Sequence, residues 1–113
     1  MASELPEWSD SVKPMSEVVV DSGKKIEDYA GSDSLMIDFA NEYIGGGTLN
    51  WGCVQEELIF LIYPELNVSL LLLEKMDHHE AIGLEGARRF ADYSGYEFHS
   101  KFEKTNVESL DRV

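Results

Sequence analysis

The sequence has few basic residues. Its 113 residues contain nine Lys and Arg against 22 Asp and Glu, which gives a formal net charge of −13. A protein that binds a nucleic-acid duplex through its phosphates needs a cationic stripe, and this chain has none, so we exclude direct DNA binding. Any anionic ligand would have to be held by backbone N–H groups and helix ends.

Long apolar runs and cysteines are also scarce. The longest apolar stretch surrounds Leu70–Leu73 and is far shorter than the ~20 residues that cross a bilayer, so we predict no membrane span. The N-terminus lacks a basic start followed by an apolar run, so we predict no secretory signal. The single cysteine, Cys53, is typical of a reducing compartment. With 43% hydrophobic residues, the chain is expected to form one small intracellular domain.

Local patterns along the chain predict a series of short elements. Apolar residues at Leu58, Ile59, Leu61 and Ile62 follow a helical stripe, and Pro64 ends it. The other expectations, in chain order, are a flexible lead-in over 1–16, a strand over Glu17–Val20 closed by a turn, a buried strand or extended segment over Leu35–Ala40, a helix over Gln55–Tyr63, an apolar run over Asn67–Lys75 that is ambiguous between helix and strand, a weak strand over Ala81–Leu84, and a loop or short helix over Gly86–Tyr96. From Lys101 onward charge dominates, and no element is required.

Three successive glycines, Gly45, Gly46 and Gly47, form the first candidate site, which we call the glycine loop. Glycine has no Cβ and tolerates positive φ, so such a loop can approach a ligand closely and present several N–H groups to an anion. A glycine triplet alone is more often a flexible turn, and that alternative stays open.

Two adjacent carboxylates, Glu56 and Glu57, follow Gln55 at the start of the predicted helix and are called the glutamate pair below. Neighbouring side chains on a helix point about 100° apart, so the two can do different work. Carboxylates close together raise each other's pKa, which helps one of them act as an acid near neutral pH. The alternative is that both are partners of the helix dipole, and that Asp38 and Asn41 only cap or turn the chain.

Metal binding is not expected. His78 and His79 are adjacent and cannot share one helical face, and Cys53 has no partner at zinc-ligand spacing. We expect no cofactor. Arg88 and Arg89 are interpreted as a solvated pair.

These separate signals combine into a resemblance. Asp38–Asn41, then Gly45–Gly47, then Gln55–Glu57 after seven residues is similar to the signature of the poly(ADP-ribose) glycohydrolase family. The likeness spans roughly residues 17 to 98 and continues at Ser22-Gly23, Ile26-Glu27, Tyr63-Pro64-Glu65-Leu66 and Tyr93-Ser94-Gly95-Tyr96. It implies an α/β chain, part of a macrodomain-type three-layer α/β/α fold with a mixed sheet. That portion is expected over 17–100, before a polar tail over 101–113.

The resemblance also implies roles for individual residues. Glu57 matches the catalytic general acid/base that cleaves ribose–ribose bonds of poly(ADP-ribose) and releases ADP-ribose, and Glu56 matches a ligand of the ribose hydroxyls. The implied substrate-binding residues are Glu27 for adenine, Asp38 and Asn41 for the distal ribose, Gly45, Gly46 and Gly47 for the ribose-phosphate, Gln55 for the ribose pocket and Tyr96 for stacking. The implied substrate is poly(ADP-ribose) or ADP-ribosylated proteins.

The family's domain continues past the tyrosine motif into further strands and a second glycine-rich loop, whereas this chain stops at Val113. We therefore expect an N-terminal portion, truncated at the C-terminus. The alternatives are a non-catalytic ADP-ribose-binding module and an inactive fragment. A monomer located in the nucleus or cytoplasm is expected.

Overall fold

The computed structural model describes residues 8–29 and 33–104. Its one α-helix in these ranges, α1, spans Gln55–Ile62 and confirms the helix predicted there. The N–H of Tyr63 still bonds the carbonyl of Ile59 at 2.8 Å. Pro64 then ends the α-helical pattern, because proline has no N–H to continue it.

A 3-10 helix, Pro64–Leu71, follows α1 directly. The side-chain amide of Asn67 donates to the carbonyls of Phe60 and Pro64, at 2.9 and 3.1 Å, and so ties this helix back onto α1. Most of the apolar run that was ambiguous between helix and strand is therefore helical, with the tighter 3-10 winding.

Two strands form an antiparallel hairpin, β1 over Ala91–Ser94 and β2 over Lys101–Lys104. Tyr93 lies opposite Phe102, and their ring centroids are 6.3 Å apart. The loop or short helix expected at 86–96 is wrong for the residues of β1. The expectation that no element is needed after residue 100 is also wrong, because a cross-strand aromatic pair stabilises pairing that the charged sequence of β2 does not reveal.

Three predicted strands are absent from the described residues. Glu17–Val20 forms no strand, and its three valines are 78–89% exposed. Leu35–Ala40 has no regular structure and is largely exposed, so it is not the buried strand that was one of the two alternatives expected there, and Ala81–Leu84 is also irregular. Each of these segments lacks a neighbouring strand among the described residues, and an isolated strand has no ladder to hold it.

The lead-in expected over 1–16 lies partly outside the described residues. Within it, Trp8–Asp10 form a short 3-10 turn, and Trp8 is 77% exposed. The tail expected over 101–113 is described only through β2.

The core lies between α1 and β1. It consists of the buried residues Ile59, Phe60, Ile62, Tyr63 and Ala87. The N–H of Phe90 donates to the carbonyl of Ile62 at 2.8 Å, which fixes the approach to β1 against the end of the helix.

The result is a small α/β arrangement, so the predicted fold class is confirmed at that level. In the described residues the sheet has two antiparallel strands, and the mixed sheet that was expected is not seen there. Across the same residues no helix is both long and apolar enough to cross a bilayer.

Candidate active site

The first turn of α1 faces the glycine loop, and Glu56 makes the first link between them. Its Oε1 accepts the N–H of Gly45 at 2.6 Å, and its Oε2 accepts the N–H of Asn41 at 2.9 Å. The side chain is only 3% exposed. Glu56 therefore closes the chain from residue 41 to 45 onto the start of the helix.

Glu57 makes the second link. Its Oε1 accepts the N–H of Gly47 at 2.8 Å, and its Oε2 accepts the N–H of Val54 at 2.9 Å. Val54 is the N-cap of α1 and Glu57 is the third residue of the helix, so the second bond is one half of a capping box. Valine has no side-chain acceptor for the other half. Glu57 is 5% exposed and does not face bulk water.

These contacts change the interpretation of the glycine loop. Gly45 and Gly47 donate their N–H groups to the glutamate pair, and Gly46 donates its own to the carbonyl of Tyr43 at 3.1 Å. The three amides that the sequence predicts as donors to an anion thus have acceptors within the chain itself. The amides lie close to negative charge, but that charge belongs to the chain itself.

The lack of side chains in the glycine loop is nonetheless required. Gly46 has φ +50, and a Cβ added there would lie 2.6 Å from Glu56 Oε2 and 2.6 Å from Glu57 Oε1. No real Cβ contact is that short. Gly46 therefore allows the two carboxylates to approach the same stretch of backbone.

Gln55 and Asp38 bring a further segment to this site. The side-chain amide of Gln55 accepts the N–H of Phe39 at 2.8 Å and donates to the carbonyl of Ile37 at 2.9 Å. It thus pairs with the backbone on either side of Asp38 through one donor and one acceptor, as a strand residue pairs with its neighbour. Both polar ends of Gln55 are engaged with this backbone.

Asp38 lies beside the glutamate pair with an unusual electrostatic environment. Its Oδ1 is buried and has no hydrogen-bond partner among the described residues. Burial, followed by the charges of Glu56 and Glu57, raises the pKa of Asp38 to about 6. Near neutral pH a small fraction of Asp38 therefore carries a proton.

The two glutamates shift in opposite directions. Burial raises the pKa of Glu56, and the N–H groups of Asn41 and Gly45 only partly offset this. Burial also tends to raise the pKa of Glu57. The hydrogen bonds that its carboxylate accepts from backbone N–H groups, first that of Gly47, outweigh this effect and hold the pKa of Glu57 below the ordinary value. Hydrogen bonds to the charged form favour it, so Glu57 is ionised near neutral pH.

Asn41 reaches the site mainly through its backbone. Its N–H donates to Glu56, while its side-chain oxygen accepts the N–H of Tyr43 at 3.1 Å and closes a short turn. The side chain of Asn41 is thus engaged in turn formation, one of the roles expected for it.

Glu27 lies in a different cluster. It belongs to the 3-10 helix Ile26–Tyr29 and is only 4% exposed, and its carboxylate is hydrogen-bonded to the hydroxyl of Tyr93. Burial, then this carboxylate, raises the pKa of Tyr93. The Glu27 Oε1 atom is buried without a partner among the described residues.

Arg89 holds that cluster together. Its guanidinium donates to the carbonyl of Glu27 at 3.2 Å and bridges Asp28 at 3.3 Å and Asp92 at 2.5 Å. Its side chain is 15% exposed, so the interpretation of Arg88 and Arg89 as a solvated pair is wrong for Arg89. Arg88 is 45% exposed and pairs with Glu65.

Tyr96 lies in the connection between β1 and β2 and is half-exposed. The connection approaches the segment before α1, because the Cys53 thiol donates to the carbonyl of Glu97 at 2.8 Å. The hairpin connection therefore contacts the segment that leads into the first turn of α1.

Two cavities lie next to these elements. The larger, about 350 Å³, is lined mostly by apolar residues between positions 65 and 73 and between positions 84 and 87. The smaller, about 200 Å³, is polar and includes Asn41, Glu42, Lys75 and His78. No group of three or more potential metal ligands occurs within 8–29 and 33–104.

The structure also shows a residue that the sequence did not single out. Gly52 precedes the N-cap of α1, and a Cβ added to it would lie 2.5 Å from Glu57 Cδ. Its position within the seven-residue spacer between the glycine loop and Gln55 was the only sequence signal available.

Comparison with known proteins identifies the family. A family model described as "Poly (ADP-ribose) glycohydrolase (PARG), Macro domain fold" matches residues 5–112. Poly(ADP-ribose) glycohydrolase 1 of Arabidopsis thaliana is 46% identical over 95 residues, covering 84% of this chain and 17% of that protein. Probable poly(ADP-ribose) glycohydrolase 2 of the same plant is 39% identical over 106 residues, covering 92% of this chain and 20% of that protein.

Poly(ADP-ribose) glycohydrolase 1 of Caenorhabditis elegans is 47% identical over 91 residues, covering 80% of this chain and 11% of that protein. The chain thus spans a fifth or less of the length of these three relatives. Because the family model covers nearly all of its residues, the chain belongs to the poly(ADP-ribose) glycohydrolase family.

Proposed function

We propose that the chain carries the catalytic carboxylates of a poly(ADP-ribose) glycohydrolase, which hydrolyses ribose–ribose bonds and releases ADP-ribose. Glu57 acts as general acid/base and Glu56 holds ribose hydroxyls. One observation supports this most directly: two adjacent, buried carboxylates are both bonded to the glycine loop, as a site that orients reacting groups requires.

The chemistry needs two proton transfers. Cleavage passes through an oxocarbenium-like state, and a carboxylic acid protonates the departing ribose oxygen. The resulting carboxylate then takes a proton from the attacking water. An ionised Glu57 is suited to the second step and to stabilising the positive charge of the transition state.

The first step requires a proton on Glu57. In the free chain the N–H groups of Gly47 and Val54 keep it ionised. A substrate phosphate that takes the N–H of Gly47 would remove one of these bonds and add a nearby negative charge. Both changes raise the pKa of Glu57, so binding itself would favour the acid form.

The remaining assignments extend this proposal. Asp38, Asn41, Gln55, the glycine loop, Glu27 and Tyr96 form the substrate site over residues 17–100. This portion belongs to a three-layer α/β/α domain with a mixed sheet. ADP-ribosylated proteins in the nucleus or cytoplasm are the expected substrates, and the chain acts as a monomer.

The test is ADP-ribose release from purified poly(ADP-ribose), measured for wild type, Glu57→Gln and the control Glu74→Gln. Glu74 is exposed, so its variant matches the charge change without touching the site. We expect release by wild type and Glu74→Gln, and loss of about 10²-fold or more in Glu57→Gln. Equal release by wild type and Glu57→Gln would remove Glu57 from the mechanism.

A second candidate is a non-catalytic ADP-ribose-binding module. It is favoured by the state of Glu57, whose two carboxylate oxygens both accept backbone bonds and whose pKa is lowered. Calorimetric titration with ADP-ribose separates the two candidates. Binding without turnover of the polymer supports the module, whereas absence of binding contradicts both.

A further inference from the structure

Gly52 packs directly against the side chain of Glu57. An ideal Cβ built on Gly52 would lie 2.5 Å from Cδ, 2.5 Å from Oε1 and 2.6 Å from Cγ of Glu57. All three distances are shorter than carbon and oxygen atoms permit. The space that a side chain of residue 52 would take is therefore filled by the carboxyl end of Glu57.

The loop geometry fixes this contact from the other side. The N–H of Gly52 donates to the carbonyl of Gly47 at 3.1 Å, and the N–H of Asn50 donates to the same carbonyl at 2.8 Å. A Cβ on Gly47 would lie 2.9 Å from both N and Cα of Gly52, so the two glycines meet backbone against backbone. Gly52 is thus held at a fixed distance from the Gly47 amide that Glu57 accepts.

We propose that Gly52 is a positioning residue for Glu57: the missing side chain at this position lets the carboxylate lie across the amides of Gly47 and Val54 at once. Gly52 touches no reacting atom and acts only through Glu57. The inference deepens the proposed function, on which it rests wherever turnover is the readout.

Alanine at this position separates positioning from folding. Gly52 does not have a positive φ, so alanine meets no backbone strain there. The atoms that its Cβ would strike belong to the Glu57 side chain, from Cγ to the carboxylate, so we expect alanine to displace this carboxylate. Gly83→Ala is the matched control, because a Cβ at Gly83 meets nothing within 4 Å and its φ is also not positive.

The decisive measurement is a pH titration of the Glu57 carboxyl carbon by NMR in wild type, Gly52→Ala and Gly83→Ala. Displacing the carboxylate removes the N–H bonds that lower its pKa, so we expect Gly52→Ala to titrate at higher pH than wild type. Gly83→Ala should titrate as wild type does. An unchanged Glu57 titration in folded Gly52→Ala overturns the inference.

Wild type alone provides a second measurement if Gly52→Ala does not fold. The amide signals of Gly47 and Val54 should shift with pH in step with the Glu57 carboxyl, because each donates to one of its oxygens. Amide signals that do not follow the carboxyl overturn the inference as well.

Turnover connects the inference to the reaction. For polymer hydrolysis we expect Gly52→Ala to lower kcat about 10- to 100-fold with little change in KM, since a misplaced catalytic group affects the chemical step. If no variant hydrolyses the polymer but the Glu57 titration moves as expected, the proposed function fails while the positioning of Glu57 by Gly52 is supported. Normal kcat in Gly52→Ala with a displaced Glu57 overturns its catalytic relevance.

Discussion

Asp38→Asn is expected to stabilise the protein near neutral pH. In the folded chain, burial and the glutamate pair raise the pKa of Asp38 from 3.8 to about 6. The native state then holds the proton to higher pH than the unfolded state does, so the free energy of unfolding falls as pH rises from about 4 to about 6. Above that range the full penalty of the ionised carboxylate remains.

The magnitude follows from the two pKa values. One pH unit corresponds to about 1.4 kcal/mol, so the upper limit of the penalty is about 3 kcal/mol. Asp38 is only partly buried, and solvent screening reduces the gain to about 1–2 kcal/mol. For a domain of about this size, each kcal/mol raises Tm by roughly 4 °C or more.

Thermal melts followed by circular dichroism at pH 4.5 and 7.5 test this reasoning. Asp38→Asn should raise Tm at pH 7.5 and raise it clearly less at pH 4.5, where Asp38 is protonated in the native state. Asp77→Asn is the control, since Asp77 is exposed and lies outside the site. An equal gain at both pH values, or an equal gain in the control, would refute an electrostatic origin.

Three further predictions concern stability measured by urea unfolding. Glu57→Gln should lower the free energy of unfolding by about 1.5–3 kcal/mol at pH 7, because the charged acceptor of the Gly47 and Val54 amides is lost. The difference in stability between wild type and this variant should vanish as pH falls through the folded pKa of Glu57. Phe60→Ala, at a side chain 2% exposed, should cost about 3–5 kcal/mol. Arg89→Met should cost about 1–2 kcal/mol, because bonds between the Ile26–Tyr29 helix and β1 are lost.

Each of these variants has a control variant, either on the same element or at a residue of the same amino-acid type. Leu61→Ala removes a side chain that is 44% exposed on α1 and should cost less than Phe60→Ala. Arg88→Met, at a side chain 45% exposed, should cost less than Arg89→Met, and Glu74→Gln should be nearly neutral. If a control lowers the free energy of unfolding as much as the variant it is paired with, the burial from which the larger effect was predicted is contradicted.

Helix α1 could be predicted because its signals are local. Leu58, Ile59 and Ile62 of the predicted stripe are buried while its fourth member, Leu61, is 44% exposed, and the predicted end at Tyr63 lies one residue beyond the observed end. Periodicity and a proline break depend on the chain near them, so no distant contact was needed.

The strands could not be predicted because pairing is non-local. The valines of Glu17–Val20 have high β-propensity and form no strand, whereas Lys101–Lys104 contains two lysines and does. The difference is a partner: β2 pairs with β1 in register, with Phe102 opposite Tyr93. Propensity in a sheet reflects the neighbour across the ladder, which the sequence does not identify.

The sequence singled out the glycine loop and the glutamate pair as candidates, and the structure brings them together through hydrogen bonds that the sequence did not predict. Glycine at positions 45 and 47 indicates backbone that can meet an anion, and the structure supplies anions from Glu56 and Glu57, ten or eleven residues further along the chain. Sequence spacing does not reveal whether an amide bonds an acceptor within the chain or one on a ligand. It also gave no reason to separate Gly52 from the rest of its spacer, because its role appears only when the Glu57 side chain packs on it.

The β1–β2 connection contains one conformation that its residue disfavours. Gly95 and Glu97 both adopt left-handed backbone angles, with φ +82 and +53. Glycine adopts these angles without strain, whereas in a glutamate the crowding between Cβ and the following carbonyl oxygen costs about 1 kcal/mol. The hairpin is therefore less stable than its ladder would permit, and a glycine or asparagine at position 97 is a direct way to strengthen it without altering either carboxylate of the glutamate pair.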